Sequence, residues 1–350
     1  MSKAQGRQAR HVKSINLALQ GGGAHGAYTW GVLDRIYEDG RIWIDAVSGA
    51  SAGAMNAVVA AHGMYDGGGD GARAALEGFW KKVSDAARFS PYQRTPWDKA
   101  AGRWSLDGSP AYLALDMLSR VASPYDLNPL AFDPLRDLVG AYVDFAKVRD
   151  CADMPIFISA TNVETGHVRV FGREEITLDA VMASACLPQM HKAVEIDGTP
   201  YWDGGFMGNP VLFPFVDHSP SEDIVIVQIN PIVRRGAPKG ARAIADRINE
   251  ITFNSALLHE LRVIRFVERK AAEGALPGYR RLRLHMIEAR KKMRPLGASS
   301  KLNAEWEFLT FLRDIGRDAA DAFLRTHFDD LGERGTLDLD QVIDGPDRKS

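Results

Sequence analysis

Three short runs in this sequence hold residue types that could carry out acyl transfer. In Gly49-Ala50-Ser51-Ala52-Gly53 a serine stands between two glycines. Where such a run joins a strand to a helix it forms a nucleophile elbow. The turn strains the serine backbone, and side chains at the flanking positions would collide with the neighbouring strand and helix. The hydroxyl is then held at a helix N-terminus, whose dipole favours developing negative charge. Taken alone, the pattern also fits an incidental small-residue turn. Gly21-Gly22-Gly23-Ala24-His25-Gly26 likewise leaves a strand and opens a helix, so its free backbone N–H groups converge as an anion site. With a carbonyl substrate on Ser51 those amides would bind the oxyanion, and losing one such donor costs about 2.7–4 kcal/mol of transition-state stabilisation. Finally, Tyr201-Trp202-Asp203-Gly204-Gly205 places a carboxylate after a short strand, exposed on a flexible turn. By itself this is an ordinary β-turn aspartate.

The first loop has a competing reading. Gly21-x-Gly23-x-x-Gly26 is a dinucleotide fingerprint, with Asp45 about 20 residues further on. That would make the chain a nucleotide-dependent oxidoreductase. A non-catalytic lipid- or anion-binding module that kept the loops and lost turnover is a third reading. The fingerprint accounts for neither the serine elbow nor the later aspartate.

The elements that must position these runs alternate. Residues 15–19 read as a buried strand, a helix follows to about Gly40, residues 42–47 form a second strand, and an alanine-rich helix spans 52–61. This is the pattern of an α/β parallel sheet. Asp66-Gly67-Gly68-Gly69-Asp70 reads as a flexible break. Residues 71–127, with Phe79, Trp80, Phe89, Trp97, Trp104 and Tyr112, read as a mostly helical insertion whose aromatics serve the core or wall a pocket. Strands return at 155–163 and 167–171, and Asp197-Gly198 turns a hairpin. A strongly apolar strand is expected at 223–229 and an alternating one at 281–287. Residues 241–272 read as a long amphipathic helix with Ile244, Ile248, Ile251, Leu258 and Leu261 near one face, and 304–328 as a further helix. The expected organisation is a catalytic domain over 12–235, an α/β extension over 236–330 packed on it, and a polar, poorly ordered tail over 331–350.

Composition narrows the classes. The chain has 350 residues, 45% hydrophobic and 25% charged, which excludes disorder, collagen-like repeats and a coiled-coil rod. Its net charge of -2 argues against a nucleic-acid partner. Only Cys151 and Cys186 are present, which fits a reducing, cytoplasmic setting. Lys3, Arg7, Arg10 and Lys13 are not followed by an apolar run, so no secretory signal is expected. The apolar window 46–61 falls short of the roughly 20 residues a membrane span needs. From Arg262 to Lys301 there are twelve Lys or Arg against three acidic residues. This stretch could touch anionic lipid peripherally, or pair with the acidic tail. None of His11, His25, His62, His167, His191, His259, His285 and His327 shows metal-ligand spacing, and neither metal nor cofactor is expected.

Gly-Gly-Gly-x-x-Gly after a first strand, Gly-x-Ser-x-Gly after a second and a later Asp-Gly-Gly together resemble the signature of patatin-like phospholipases. The run Ala183-Ser184-Ala185-Cys186-Leu187-Pro188 is also similar to that family. The resemblance implies a three-layer α/β sandwich with a central, mostly parallel sheet. It implies a Ser–Asp dyad that hydrolyses a lipid or fatty-acyl ester, with Ser51 as nucleophile, Asp203 as base, and Gly21, Gly22 and Gly23 as the oxyanion hole. Gly26, Gly49, Gly53, Gly204 and Gly205 would support these turns. The family usually has Arg or Lys where this chain has His25, and a histidine supplies charge there only when protonated. A free aspartate, with a pKa of about 3.9, is a poor base, and burial would improve it. A dyad of this kind predicts a pH–rate profile without a histidine-like limb near neutrality. The chain order Ser51, Asp203, His218 also allows a triad.

Overall fold

Strand β1 (Lys13–Leu19) is buried on both faces, and this sets the architecture. Ile15, Leu17 and Leu19 enter one hydrophobic cluster while Ala18 enters a second on the opposite side. A central strand with two apolar faces needs helices above and below it. The computed structural model describes residues 13–119, 121–151, 154–276 and 281–345. Lys3, Arg7, Arg10, His11, Arg280, residue 12 and residues 346–350 of the expected tail lie outside the described residues.

Among the described residues the sheet has eight strands: β1, β2 (Ile42–Gly49), β3 (Ile156–Asn162), β4 (Val168–Phe171), β5 (Val194–Ile196), β6 (Thr199–Asp203), β7 (Asp223–Gln228) and β8 (Arg283–Glu288). Its order is β5-β6-β3-β2-β1-β7-β8, with β4 also pairing to β3. The run from β3 to β8 is parallel, and β4, β5 and β6 add an antiparallel edge. The helices are α1 (Gly26–Asp39), α2 (Ala52–Ala87), α3 (Pro96–Ala100), α4 (Pro110–Leu118), α5 (Pro124–Leu127), α6 (Pro134–Tyr142), α7 (Phe145–Asp150), α8 (Leu178–Ser184), α9 (Pro214–His218), α10 (Ala241–Ala272), α11 (Arg290–Met293), α12 (Trp306–His327) and α13 (Leu339–Asp344). Side chains of α1, α2, α8 and α12 build the core on one face of the sheet, and those of α9, α10 and α13 build it on the other. The expected three-layer α/β sandwich is the observed fold. Among the described residues no helix is long and apolar enough to cross a membrane.

Several local expectations change. The Asp66–Asp70 run does break α2 in two: Gly67 and Gly68 leave helical geometry, with φ of -148° and 60°, and the chain turns back so that a Cβ on Gly63 would lie 2.3 Å from the Gly71 carbonyl oxygen. Residues 71–87 form the returning arm of α2, and Leu76, Phe79 and Trp80 are buried in the main core. Trp104 stacks on Phe308 and Phe311, whereas Phe89 and Trp97 are exposed. On α10 the isoleucines are not the buried face: Ile248 is 60% exposed, and Ile244 and Ile251 are also exposed. Phe253, Asn254, Leu257 and Leu261 point inward instead. The reason is tertiary, because the inward stripe must meet a polar cavity at one end and the sheet at the other. The described part of the tail is packed: Leu331, Val342 and Ile343 are buried.

Candidate active site

Strand register brings the three motifs to one end of the sheet. Leu19 pairs with Gly49 across β1 and β2, and Gly49 pairs with Ile158 across β2 and β3, so the first two loops leave the sheet side by side. Strand β6 runs antiparallel to β3 and pairs Asp203 with Ala160. The aspartate is thereby returned to the level of the serine turn. Loops at the carboxyl ends of parallel strands are where α/β sheets place ligands.

Ser51 has φ 52° and ψ -122°, a conformation few non-glycine residues adopt. The neighbouring glycines make this turn possible. A Cβ on Gly53 would lie 2.2 Å from the Leu19 carbonyl oxygen, and one on Gly49 would lie 2.7 Å from the Gly53 backbone. A Cβ on Gly21 would lie 2.7 Å from the Ser51 Cβ, so the first loop rests directly on the serine. The Ser51 N–H donates to Ser184 Oγ at 2.9 Å, and the Asp203 N–H donates to the Cys186 carbonyl at 2.8 Å. The 183–188 run thus holds both residues in place.

Asp203 is 1% exposed, not displayed on an open turn as its glycines suggested. Its Oδ1 accepts from the Gly205 N–H at 2.6 Å, and its Oδ2 is buried without a hydrogen-bond partner. Burial raises its pKa from the usual carboxylate value to about 7, and Gly205, Ser51 and Lys301 pull it back only in part. Asp203 lines the cavity beside Ser51, and a buried carboxylate with spare hydrogen-bonding capacity can accept a proton. A pKa near 7 places the ionisation of this carboxyl near neutrality, so a limb there would not require a histidine.

The first glycine loop is clamped by buried amides. The Gly21 N–H donates to Asn209 Oδ1 at 2.7 Å, and the Gly21 carbonyl accepts from Asn230 Nδ2 at 3.0 Å. Gln20 Oε1 accepts from the backbone of Ile229 and Asn230, while its Nε2 donates to Asn254. Gly21 is therefore removed as an oxyanion donor because its N–H is already committed. Gly22 and Gly23 line a cavity of about 570 Å³ together with Ser51 and Asp203. That volume suits a small-molecule or acyl-chain site. Tyr112 and Leu115 of α4 and Asn249 of α10 form part of its walls.

His25 does not supply a charge. It is buried, its Nε2 is 2.8 Å from Ser300 Oγ, and burial followed by the nearby Lys301 lowers its pKa to about 3. Lys301, from a short 3-10 turn at Ala298–Leu302, lines the same cavity. Its Nζ donates to Asn230 Oδ1 and Asn249 Oδ1, each at 2.9 Å. No motif marks Lys301, Asn209 or Asn230 in the sequence. Ser184 lies in a run that the family resemblance did flag.

The rival readings lose their geometry. Asp45 is buried within β2 and not at its carboxyl end, where a ribose-binding acid would stand. His218 ends α9 and stacks on Phe157, outside the cavity lining. Among the described residues no group of His, Cys, Asp or Glu is arranged to hold a metal ion.

No curated protein matches the sequence. Among solved structures, VipD from Legionella pneumophila is similar at 14% identity over 87% of this chain and 67% of its own, with a TM-score of 0.32. ExoU in complex with SpcU, from Pseudomonas aeruginosa, is similar at 14% identity over 91% of this chain, with a TM-score of 0.36. This chain covers 52% of that structure's length. Neither score is high enough to argue from. The sequence profile of the family described as patatin-like phospholipase matches residues 17–216, more than half the chain and all three motifs. With that match and the α/β sandwich around it, the chain belongs to the patatin-like phospholipase family.

Proposed function

We propose that this chain is a serine acyl hydrolase that cleaves carboxylic ester bonds of phospholipids or related lipids, with Ser51 as nucleophile and Asp203 as general base. One observation carries the reading: a buried carboxylate with an unpartnered Oδ2 and a pKa near 7 shares a cavity with a serine at positive φ. A base poised near the operating pH is what proton transfer from a hydroxyl requires.

In this mechanism Ser51 Oγ attacks the ester carbonyl carbon as its proton passes to Asp203. The oxyanion is met by the Gly22 and Gly23 N–H groups, which have no protein partner among the described residues, at the positive end of α2. Collapse breaks the ester C–O bond, and the leaving alcohol takes the proton from Asp203. Water then attacks the acyl-serine and gives its proton to Asp203. Expulsion of Ser51 Oγ returns that proton to the serine and frees the fatty acid.

The catalytic unit in this reading is the whole layered body, because β8 extends the sheet and α12 packs on α1 through contacts such as Trp30 with Trp306. Peripheral contact with a lipid surface is supported by Met117, Val121, Leu130 and Phe132, exposed on α4 and the segment after it. The basic stretch supports it less. Arg265 pairs with Asp340 and Asp344, Arg283 with Glu222 and Asp223, and Lys292 with Asp318. A cytoplasmic setting is supported by two buried cysteines, Cys151 and Cys186, that are not joined in a disulfide.

The test is labelling by a fluorophosphonate, followed by turnover of a phosphatidylcholine. The expected result is one labelled residue, Ser51, and loss of both signals in S51A. Labelling without turnover would point to a binding module that has lost catalysis.

A further inference from the structure

Positive charge near the first glycine loop would favour the oxyanion that forms as Asp203 takes the Ser51 proton, and position 25 does not provide it. His25 is neutral, buried and bonded to Ser300. That bond docks the 3-10 turn Ala298–Leu302 against the glycine loop, and the next residue along the turn is Lys301. A Cβ on Gly23 would lie 2.6 Å from the Lys301 carbonyl oxygen, so the two backbones touch. On the far side, Asp246 Oδ1 accepts from the Ala298 N–H at 3.2 Å and fixes the turn to α10.

We propose that Lys301 supplies the positive charge of the acyl-transfer site, delivered from outside the family-matched segment by the turn that His25 anchors. The proposal rests on the Ser51–Asp203 reading above. Lys301 acts through space on the Asp203 carboxylate and on the oxyanion held by Gly22 and Gly23, as a positioning residue that exchanges no proton.

Three features support it. The half-buried Lys301 side chain lines the cavity with Ser51, Asp203, Gly22 and Gly23. Its two hydrogen-bond partners are neutral amide oxygens, Asn230 Oδ1 and Asn249 Oδ1, and among the described residues no carboxylate forms an ion pair with it. An ammonium has three N–H donors, so its charge is oriented without being cancelled. Asn230 also donates to the Gly21 carbonyl, which ties the ammonium to the loop that would bind the oxyanion.

The groups facing Lys301 are Asp246 and Glu250 on α10, Asp203 on β6 and His25 in the first loop. Glu250 is already held by Arg234 and Arg247. Burial lowers the Lys301 pKa, and the three carboxylates restore part of the loss, leaving it at about 8. The ammonium is thus the main form at neutral pH and is lost on the alkaline side.

The experiment measures kcat, KM and their pH dependence on p-nitrophenyl butyrate for the parent, K301M, K301R and S51A. A field acting on the transition state predicts that K301M loses about a hundredfold in kcat with little change in KM. Its acid limb should move upward, because Lys301 helps to keep Asp203 ionised. The parent should lose activity above about pH 8. K301R should regain most of the kcat and lack that alkaline limb, since its guanidinium stays charged. A merely structural lysine would not move either limb. K301M within about twofold of the parent kcat would overturn the proposal, because a lost charge-stabilising donor costs far more. So would an alkaline limb that persists in K301R, and that variant decides alone if K301M fails to fold. An S51A variant that still turns over would overturn the hydrolase reading itself, whereas inactive S51A beside unimpaired K301M would overturn Lys301 alone.

Discussion

Asp203 and Asp223 are equally hidden, at 1% and 2% exposure, yet their carboxyls behave in opposite ways. Asp223 opens β7, at the end of the sheet away from the cavity. Its Oδ2 accepts from Arg283 Nε and Nη2 at 3.0 and 2.8 Å, and its Oδ1 is met by His285 Nε2 and the Gly332 N–H, both at 3.0 Å. Burial pushes its pKa up, but His285, Arg283 and Gly332 outweigh burial and bring it to about 2. Asp203 has one backbone donor and stands at about 7. Burial alone raises a carboxyl, and only its partners decide whether the charge is kept. The saturated aspartate ties the C-terminal segment to the sheet, and the unsaturated one is left with chemistry to do.

The sharpest way to break this contrast is to neutralise each carboxyl in turn. D203N should lower kcat by about 10²–10⁴-fold, the usual worth of a general base. D223N should leave kcat per folded molecule unchanged. Steady-state assays beside a folding measurement check both, and equal losses would erase the distinction. Next in size is stability. D223A leaves Arg283 and His285 without their shared anion and should cost about 3 kcal/mol in denaturant unfolding. D203N should do the reverse, because it relieves a buried charge.

The pH dependence carries the sign. The folded-state pKa of Asp203 is raised, so its favourable contribution is complete below its unfolded value near 3.8 and is lost as pH rises through about 7. D203N should therefore match the parent near pH 4 and exceed its stability by about 4 kcal/mol at pH 8. For Asp223 the shift is downward. Its contribution is present above its unfolded value near 3.8 and fades as pH falls through about 2. Unfolding midpoints across that range, for both variants, test the two slopes. The smallest expected effect is on H218A, whose kcat/KM profile should keep an acid limb near 7, because Asp203 and not an imidazole sets it. Loss of that limb in H218A would restore the triad.

What could be read without coordinates was local. The elbow at Ser51, the first glycine loop and the hairpin over Asp197-Gly198 depend on backbone geometry within a few residues, and glycine spacing encodes that directly. The burial of Asp203 was not local. Its glycines suggest an open turn, and it is sealed only because Phe253 of α10 and Ser159 of β3 close over Gly204 and Gly205. The isoleucines of α10 misled for a related reason. A helical period shows that an apolar stripe exists but not which neighbours will cover it.

Spacing and residue type, by themselves, determined the alternation of strands and helices and the identity of the three turns, since strand period, glycine strain and helix start are properties of short segments. Tertiary structure alone decided that Gly21 spends its N–H on Asn209, that Asp203 titrates near neutrality, and that Lys301 rather than His25 brings charge to the cavity. Those outcomes depend on field, burial and competition for hydrogen bonds between groups far apart in the chain. They come into being only when the sheet register and the packing of α10 and the Ala298–Leu302 turn bring those groups together.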